Sequence, residues 1–155
     1  MDVKVINAFL DGTVSVLKTM AFIEPKAGAP YLKKDAAARG DISGIIGLAG
    51  SVKGSLALSF EESCILEIVS SMLGEQSSEI NAEICDAVGE ITNMVSGAAR
   101  KNMEAAGFTI LSALPTVISG KGHSITHVMG GPSIIIPFET AKGSFVVDIC
   151  IGGAK

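Results

Sequence analysis

The sequence predicts an α/β (α+β) domain in which long helices pack on antiparallel β-sheet. Three observations predict it. Apolar residues recur at helical spacing across residues 4–22 and again from Ile80 to about Ala106. They alternate with small or polar residues over 46–60, and β-rich runs at 133–140 and 144–151 flank Ala141-Lys142-Gly143, a hairpin signature. The 155 residues are 48% hydrophobic but only 5% aromatic, without Trp, so Ile, Val, Leu, Met and Ala must build the core. Eighteen Gly permit the close helix-on-sheet contact such a core needs. One compact domain spanning residues 1–155 is expected.

Each element has its own signal. Val5, Phe9, Leu10, Val14, Leu17 and Met20 make the first helix amphipathic, and it stops before Glu24-Pro25 and a loop at Lys26-Ala27-Gly28-Ala29-Pro30. Ile46 and Leu48, then Val52, Leu56, Leu58 and Phe60, belong to two antiparallel strands that turn at Gly50-Ser51. Ser59 with Glu62 three residues on reads as a capping box. It opens a short second helix whose stripe, Ile65, Leu66, Val69 and Leu73, ends at Gly74, a left-handed cap. After the polar break 75–78 a third and longest helix runs to about Ala106, with Gly107 as its stop. Thr109 to Leu114 forms a strand or extended crossover into Pro115, and after Val117-Ile118 the glycine-rich stretch Ser119-Gly120-Lys121-Gly122 breaks the extended run. Pro137 implies a free edge or a bulge for its strand.

Charge and composition exclude several functions. The net charge is −4 and no stretch gathers basic residues, so nucleic acid is not an expected partner. Cys64, Cys85 and Cys150 are odd in number and lack ligand-like spacing, which fits a reducing cytoplasm. No basic leader with an apolar run opens the chain, and no window reaches the roughly 18 apolar residues of a membrane span, so no membrane association is expected. His123 and His127 have no Cys or Glu cluster beside them and read as loop or core residues rather than metal ligands. Gly120-Lys121-Gly122 lacks the spacing of a nucleotide-phosphate loop, and no Gly-x-Ser-x-Gly elbow occurs.

The third helix carries the informative face. Ile80, Ile84, Ala87, Val88, Ile91, Val95 and Ala98 form a stripe roughly 100° wide, the expected buried side. Asp86, Glu90, Asn93 and Gly97 succeed one another at spacings of four, three and four in a second row about 140° away. An ordinary solvated face would carry such carboxylates, but Asn costs roughly a few tenths of a kcal/mol in mid-helix and Gly about 1 kcal/mol. A helix that tolerates both keeps a surface open for another protein. A carboxylate and a carboxamide three residues apart can together hold a cation and orient a water, and orientation is what phosphoryl hydrolysis most needs. Ile6-Asn7-Ala8 and Ile80-Asn81-Ala82 echo one another. If the halves are related, Val16 and Thr19 stand where Glu90 and Asn93 would be, and a second site of this kind is absent.

The segment Asp86-Ala87-Val88-Gly89-Glu90-Ile91-Thr92-Asn93, with Pro115 about twenty residues on, resembles the motif of the CheC/CheX/FliY family: Asp or Ser, three residues, Glu, two residues, Asn, and a later Pro. Residues 114–122 and 135–140 are similar to the CheX branch, and the resemblance spans nearly the whole chain. It implies a CheC-like fold and dephosphorylation of a CheY-like response regulator in bacterial chemotaxis, whose phosphoryl group sits on an aspartate beside Mg²⁺. By the same resemblance Asn93 places the attacking water and Glu90 pairs with a lysine of the regulator. Asp86, Gly97 and Arg100 become partner-contacting positions. It also implies that Mg²⁺ comes with the partner, that this chain holds no metal, and that the protein is a homodimer with one site per chain. A non-enzymatic CheX-like adaptor or dimerisation module shares these features and differs only in lacking turnover.

Overall fold

The computed structural model describes residues 3–32, 39–125 and 133–152. Its helices are α1 (Val3–Ala21), α2 (Glu62–Leu73) and α3 (Ala82–Ala105). Its strands are β1 (Lys26–Ala27), β2 (Tyr31–Leu32), β3 (Arg39–Gly50), β4 (Lys53–Phe60), β5 (Ile110–Ser112), β6 (Thr116–Ser124), β7 (Ser133–Thr140) and β8 (Gly143–Gly152). They form one antiparallel sheet in the order β1-β7-β8-β4-β3-β5, with β2 also on β7 and β6 also on β3. Helices on antiparallel sheet are what the two periodicities predict.

Strand side chains alternate between faces, so one set of positions must meet the helices. That set includes Leu56, Leu58 and Phe60 of β4, opposite Ile149, Val147 and Phe145 of β8. All six are buried in one cluster with residues of α1, α2 and α3. Phe60, Phe145 and Phe138 stack across three strands with centroid separations of 5.0 and 4.9 Å. Burying each such side chain stabilises the fold by roughly 1.5–3 kcal/mol. On the reverse face Ser43 and Ser59 pair across the β3–β4 ladder and are also buried, with their hydroxyls hydrogen-bonded at 2.8 Å.

The long helix sits on the sheet at a missing side chain. A Cβ on Gly44 of β3 would stand 1.9 Å from Thr92 Oγ1 and 3.3 Å from Val88 Cγ1, both on α3. Thr92 Oγ1 donates to Val88 O at 2.8 Å, so the hydroxyl is satisfied within the helix while pressing on bare strand. A second close approach fixes α1 beside α3, where a Cβ on Gly12 would be 3.1 Å from Ala99 N. Asn102 Nδ2 also donates to Ala8 O at 3.1 Å, so the two helices run antiparallel. The ends of α3 obey local rules. Asn81 caps its start by accepting from Ile84 N at 3.0 Å, worth about 1 kcal/mol, and Gly107 takes a left-handed φ of 92° just past its end.

Local expectations fail in three places, each because a tertiary partner intervenes. Ser59 does not cap α2; the N-cap residue is Glu61, which makes no side-chain cap bond, and the Ser59 hydroxyl is turned to Ser43. The Glu62 N–H is accepted instead by Asp41 Oδ2 of β3 at 2.8 Å, while Asp41 Oδ1 accepts from Gly122 N at 3.0 Å. The bond from Glu62, then that from Gly122, holds the Asp41 carboxyl below its ordinary value. Second, the glycine-rich stretch does not break its strand: β6 runs through it, with Gly122 at φ 66° and a register shift against β3 between Gly40 and Ile42. His123 holds this irregular part. Since Gly120 O can only accept, the ring donates to it from Nδ1 (2.7 Å), and Nε2 is hydrogen-bonded to the Ser43 hydroxyl (2.6 Å).

Third, the segment expected as a loop after α1 carries β1 and β2, which pair with β7 on either side of Pro137. Proline has no N–H to offer, so the added ladder is interrupted there, and the Pro137 carbonyl accepts from Gly28 N at 2.8 Å. The edge at Pro137 is thus covered discontinuously rather than left free. The cap at Gly74 is as expected, with φ 70° and its N–H on Ser70 O at 2.9 Å. The buried stripe of α2 is Cys64, Ile65, Ile68 and Val69, leaving Leu73 exposed.

Gly44→Ala is expected to lower the unfolding free energy by about 1–3 kcal/mol through overpacking. Adding Thr92→Ala, which removes the atom in the way, is expected to recover part of that loss. Urea unfolding midpoints of the single and double variants measure both; a wild-type midpoint for Gly44→Ala would mean that the helix does not rest on this strand as described.

Candidate functional site

The buried arc of α3 is Ile84, Val88, Ile91, Thr92, Val95, Ser96, Ala99 and Met103. Relative to the expected stripe it is rotated toward Thr92 and Ser96, and Ile80, Ala87 and Ala98 are only half-buried. The rotation results from the seating on Gly44, which draws the Thr92 edge of the helix into the sheet. Its opposite face is therefore set, and Asp86, Glu90 and Asn93 all lie exposed on it.

Glu90 and Asn93 are one turn apart on a rigid rod, with Cβ atoms roughly 5–6 Å apart by helix geometry. Among the described residues neither side chain is held by a hydrogen bond or ion pair, so both present their full donor and acceptor capacity outward. The two flanks of this face differ. On one side α1 packs against Ala98 and Asn102. On the other lies β6, since a Cβ on Gly89 would be 3.5 Å from Val117 Cγ2. A wheel of 100° per residue puts Asn93 on the β6 side and Glu90 nearer α1.

The remaining row residues differ in kind. Among the described residues nothing lies within 4 Å of where a Gly97 Cβ would project, so no packing among them requires glycine there. Arg100 is 48% exposed and reaches Glu104 at 4.0 Å, an i,i+4 surface pair worth about 0.3–0.5 kcal/mol, which leaves its guanidinium free to exchange partners. Among the described residues no group of three or more His, Cys, Asp or Glu could hold a metal ion. Of the histidine pair, His123 is engaged as above and His127 lies outside the described residues. Cys64 is buried with its thiol pushed up to about 12 by desolvation, which makes it unsuited to nucleophilic chemistry. No described helix is long and apolar enough to cross a membrane. Leu114, beside Pro115, is 86% exposed.

Residues 42–139 match the family model described as chemotaxis phosphatase CheX, which takes in both the Glu90–Asn93 turn and Pro115. The chain belongs to the CheX family. It is 30% identical over 122 residues to the CheY-P phosphatase CheX of Thermotoga maritima, covering 78% of this chain and 79% of that one. Among solved structures, a CheC-like superfamily protein from Shewanella sp. PV-4 superposes with a TM-score of 0.93 at 49% identity, covering 99% of this chain and 100% of that chain. The CheX–CheY–BeF3–Mg²⁺ complex of Borrelia burgdorferi has a TM-score of 0.79 at 29% identity, covering 94% and 96%. The CheX-family, CheC-like fold is therefore the scaffold that holds this helix face.

Gly97→Ala is expected to stabilise the folded chain by about 0.5–1 kcal/mol, since the new methyl meets open space and the helix loses a flexible residue. Denaturant unfolding would show it as a raised midpoint. A lowered midpoint would reveal a packing demand at Gly97 that the structure lacks.

Proposed function

We propose that this chain hydrolyses the aspartyl-phosphate of a CheY-like response regulator in bacterial chemotaxis signalling. One observation carries the reading: Glu90 and Asn93, the pair found in the family motif, stand exposed on one outward turn of α3 and, among the described residues, make no hydrogen bond or ion pair. A face of this kind can enter a partner's active site without local unfolding. The Asn93 carboxamide can donate to and accept from one water, so it holds that water in line with the phosphorus. The water oxygen bonds to phosphorus as the bond to the aspartyl oxygen breaks, yielding inorganic phosphate and a free carboxylate on the regulator. Glu90 pairs with a lysine of the regulator and fixes the approach. Asp86, Gly97 and Arg100 make further contacts, with Gly97 giving clearance for the incoming surface.

The charge that builds on the phosphoryl oxygens needs a cation. In this reading the Mg²⁺ resides on the regulator, in keeping with the Borrelia complex, which pairs CheX with CheY, BeF3 and Mg²⁺. This chain binds no cofactor of its own and works as one CheX-like domain; its described residues share a single core. A reducing cytoplasm suits its three free cysteines.

Phosphate release from a phosphorylated regulator, with the chain substoichiometric, tests the assignment. Asn93→Ala is expected to lower kcat by about 100-fold, the scale of losing a positioned reactant. Glu90→Ala weakens turnover chiefly by loss of the lysine contact. EDTA stops the reaction, while the purified chain contains no stoichiometric metal. Full activity in both folded variants refutes these roles, and binding without turnover would make the protein an adaptor.

The same reading includes a homodimer. Among the described residues β6 occupies one edge of the sheet, bonded to β3 along one side only, and seven of its nine residues are exposed. A nine-residue edge strand invites pairing with a second copy about a two-fold axis. Light scattering is expected to give twice the chain mass, and Ile118→Lys, a charge on that edge, to halve it. A monomeric wild type at micromolar concentration rules the dimer out.

A further inference from the structure

β6 runs antiparallel to α3. Val117 meets Gly89, and further along the strand Ser119, Gly120 and Lys121 line a cavity of about 260 Å³ with Ile80, which precedes the helix. Two strand residues back from Val117 is a distance of about 6.6 Å, a little over four residues of helix rise. That distance takes Gly89 to Asn93 and places Pro115 level with it, on the side to which Asn93 leans. The connection Ala113-Leu114-Pro115 between β5 and β6 therefore borders the Asn93 edge of the exposed face.

Leu114 is 86% exposed at this place, more than any other large apolar side chain among the described residues. A single exposed leucine means nothing by itself. Here its backbone is also fixed. Ala113 N donates to Gly47 O at 3.1 Å on one side, and Pro115 restricts the chain on the other. An apolar knob held this way loses little freedom on binding, and across from it the helix is bare at Gly97. Docking affinity is concentrated in a few side chains that become fully buried against the partner.

We infer that Leu114 is an apolar anchor for the phosphorylated regulator, setting affinity while Asn93 serves the chemical step. The inference rests on the phosphatase reading. It commits to the regulator rather than a second copy because the knob continues the Asn93 face.

The full chain carrying Leu114→Ala or Leu114→Asp tests it against the CheY-like regulator of the host genome, by steady-state turnover and by binding of the beryllofluoride–Mg²⁺ form. KM and Kd are expected to rise about 10-fold for Leu114→Ala, the scale of losing part of a buried leucine, and further for Leu114→Asp. Meanwhile kcat, oligomeric mass and unfolding midpoint stay at wild-type values. Asn93→Ala gives the reverse pattern, with kcat lost and Kd kept. Unchanged KM and Kd in Leu114→Asp, with Asn93→Ala inactive, overturn the anchor and leave the phosphatase reading standing. A halved mass for Leu114→Asp makes the residue a subunit contact and also overturns the anchor. An active Asn93→Ala would count against the phosphatase roles alone.

Discussion

Much of this molecule depends on the contact between Thr92 of α3 and the bare backbone of Gly44 on β3. Any side chain at Gly44 would push the helix off the sheet or rotate it, and a rotation of α3 moves Glu90 and Asn93 along with the core stripe. Packing at this density transmits even a one-methyl change. The same contact therefore sets the depth of the core and the direction of the exposed row. Gly12 on α1 adds a second restraint from the side, through Ala98 and Ala99.

A helix fixed so firmly underneath can leave its upper surface poor in internal contacts. Among the described residues Glu90 and Asn93 make no hydrogen bond or ion pair, and no atom lies within 4 Å of where a Gly97 Cβ would project. Each choice is unfavourable or neutral for an isolated helix, yet the buried arc on the far side more than offsets it, since each buried aliphatic residue contributes roughly 1.5–3 kcal/mol. Under the proposed phosphatase role, rigidity is the gain, because a group that positions a water loses rate when it moves by about 1 Å.

The polar clasp around Asp41 shows the same division of labour elsewhere. Its carboxylate takes one backbone N–H from the start of α2 and one from β6, joining a helix end, the β3 bulge and the sheet edge. His123, Ser43 and Ser59 continue the network onto the reverse face. An edge strand rich in glycine is held straight enough to present an ordered surface.

The three helices, the two hairpins and the exposed row at Asp86, Glu90 and Asn93 are legible in the order of amino acids alone. They arise from periods of 3.6 and 2 and from glycine caps, which are properties of neighbouring residues. Features that depend on distant partners needed the folded chain. Ser59 matched a capping box but its hydroxyl was claimed by Ser43, and the cap came from Asp41, 21 residues away in sequence. β1 and β2 exist only because β7 offers them an edge, and β6 stays a strand through its glycines because β3 pairs with it. The rotation of the α3 core arc toward Thr92 came from how helix and sheet meet, and no local pattern along the chain encodes that meeting.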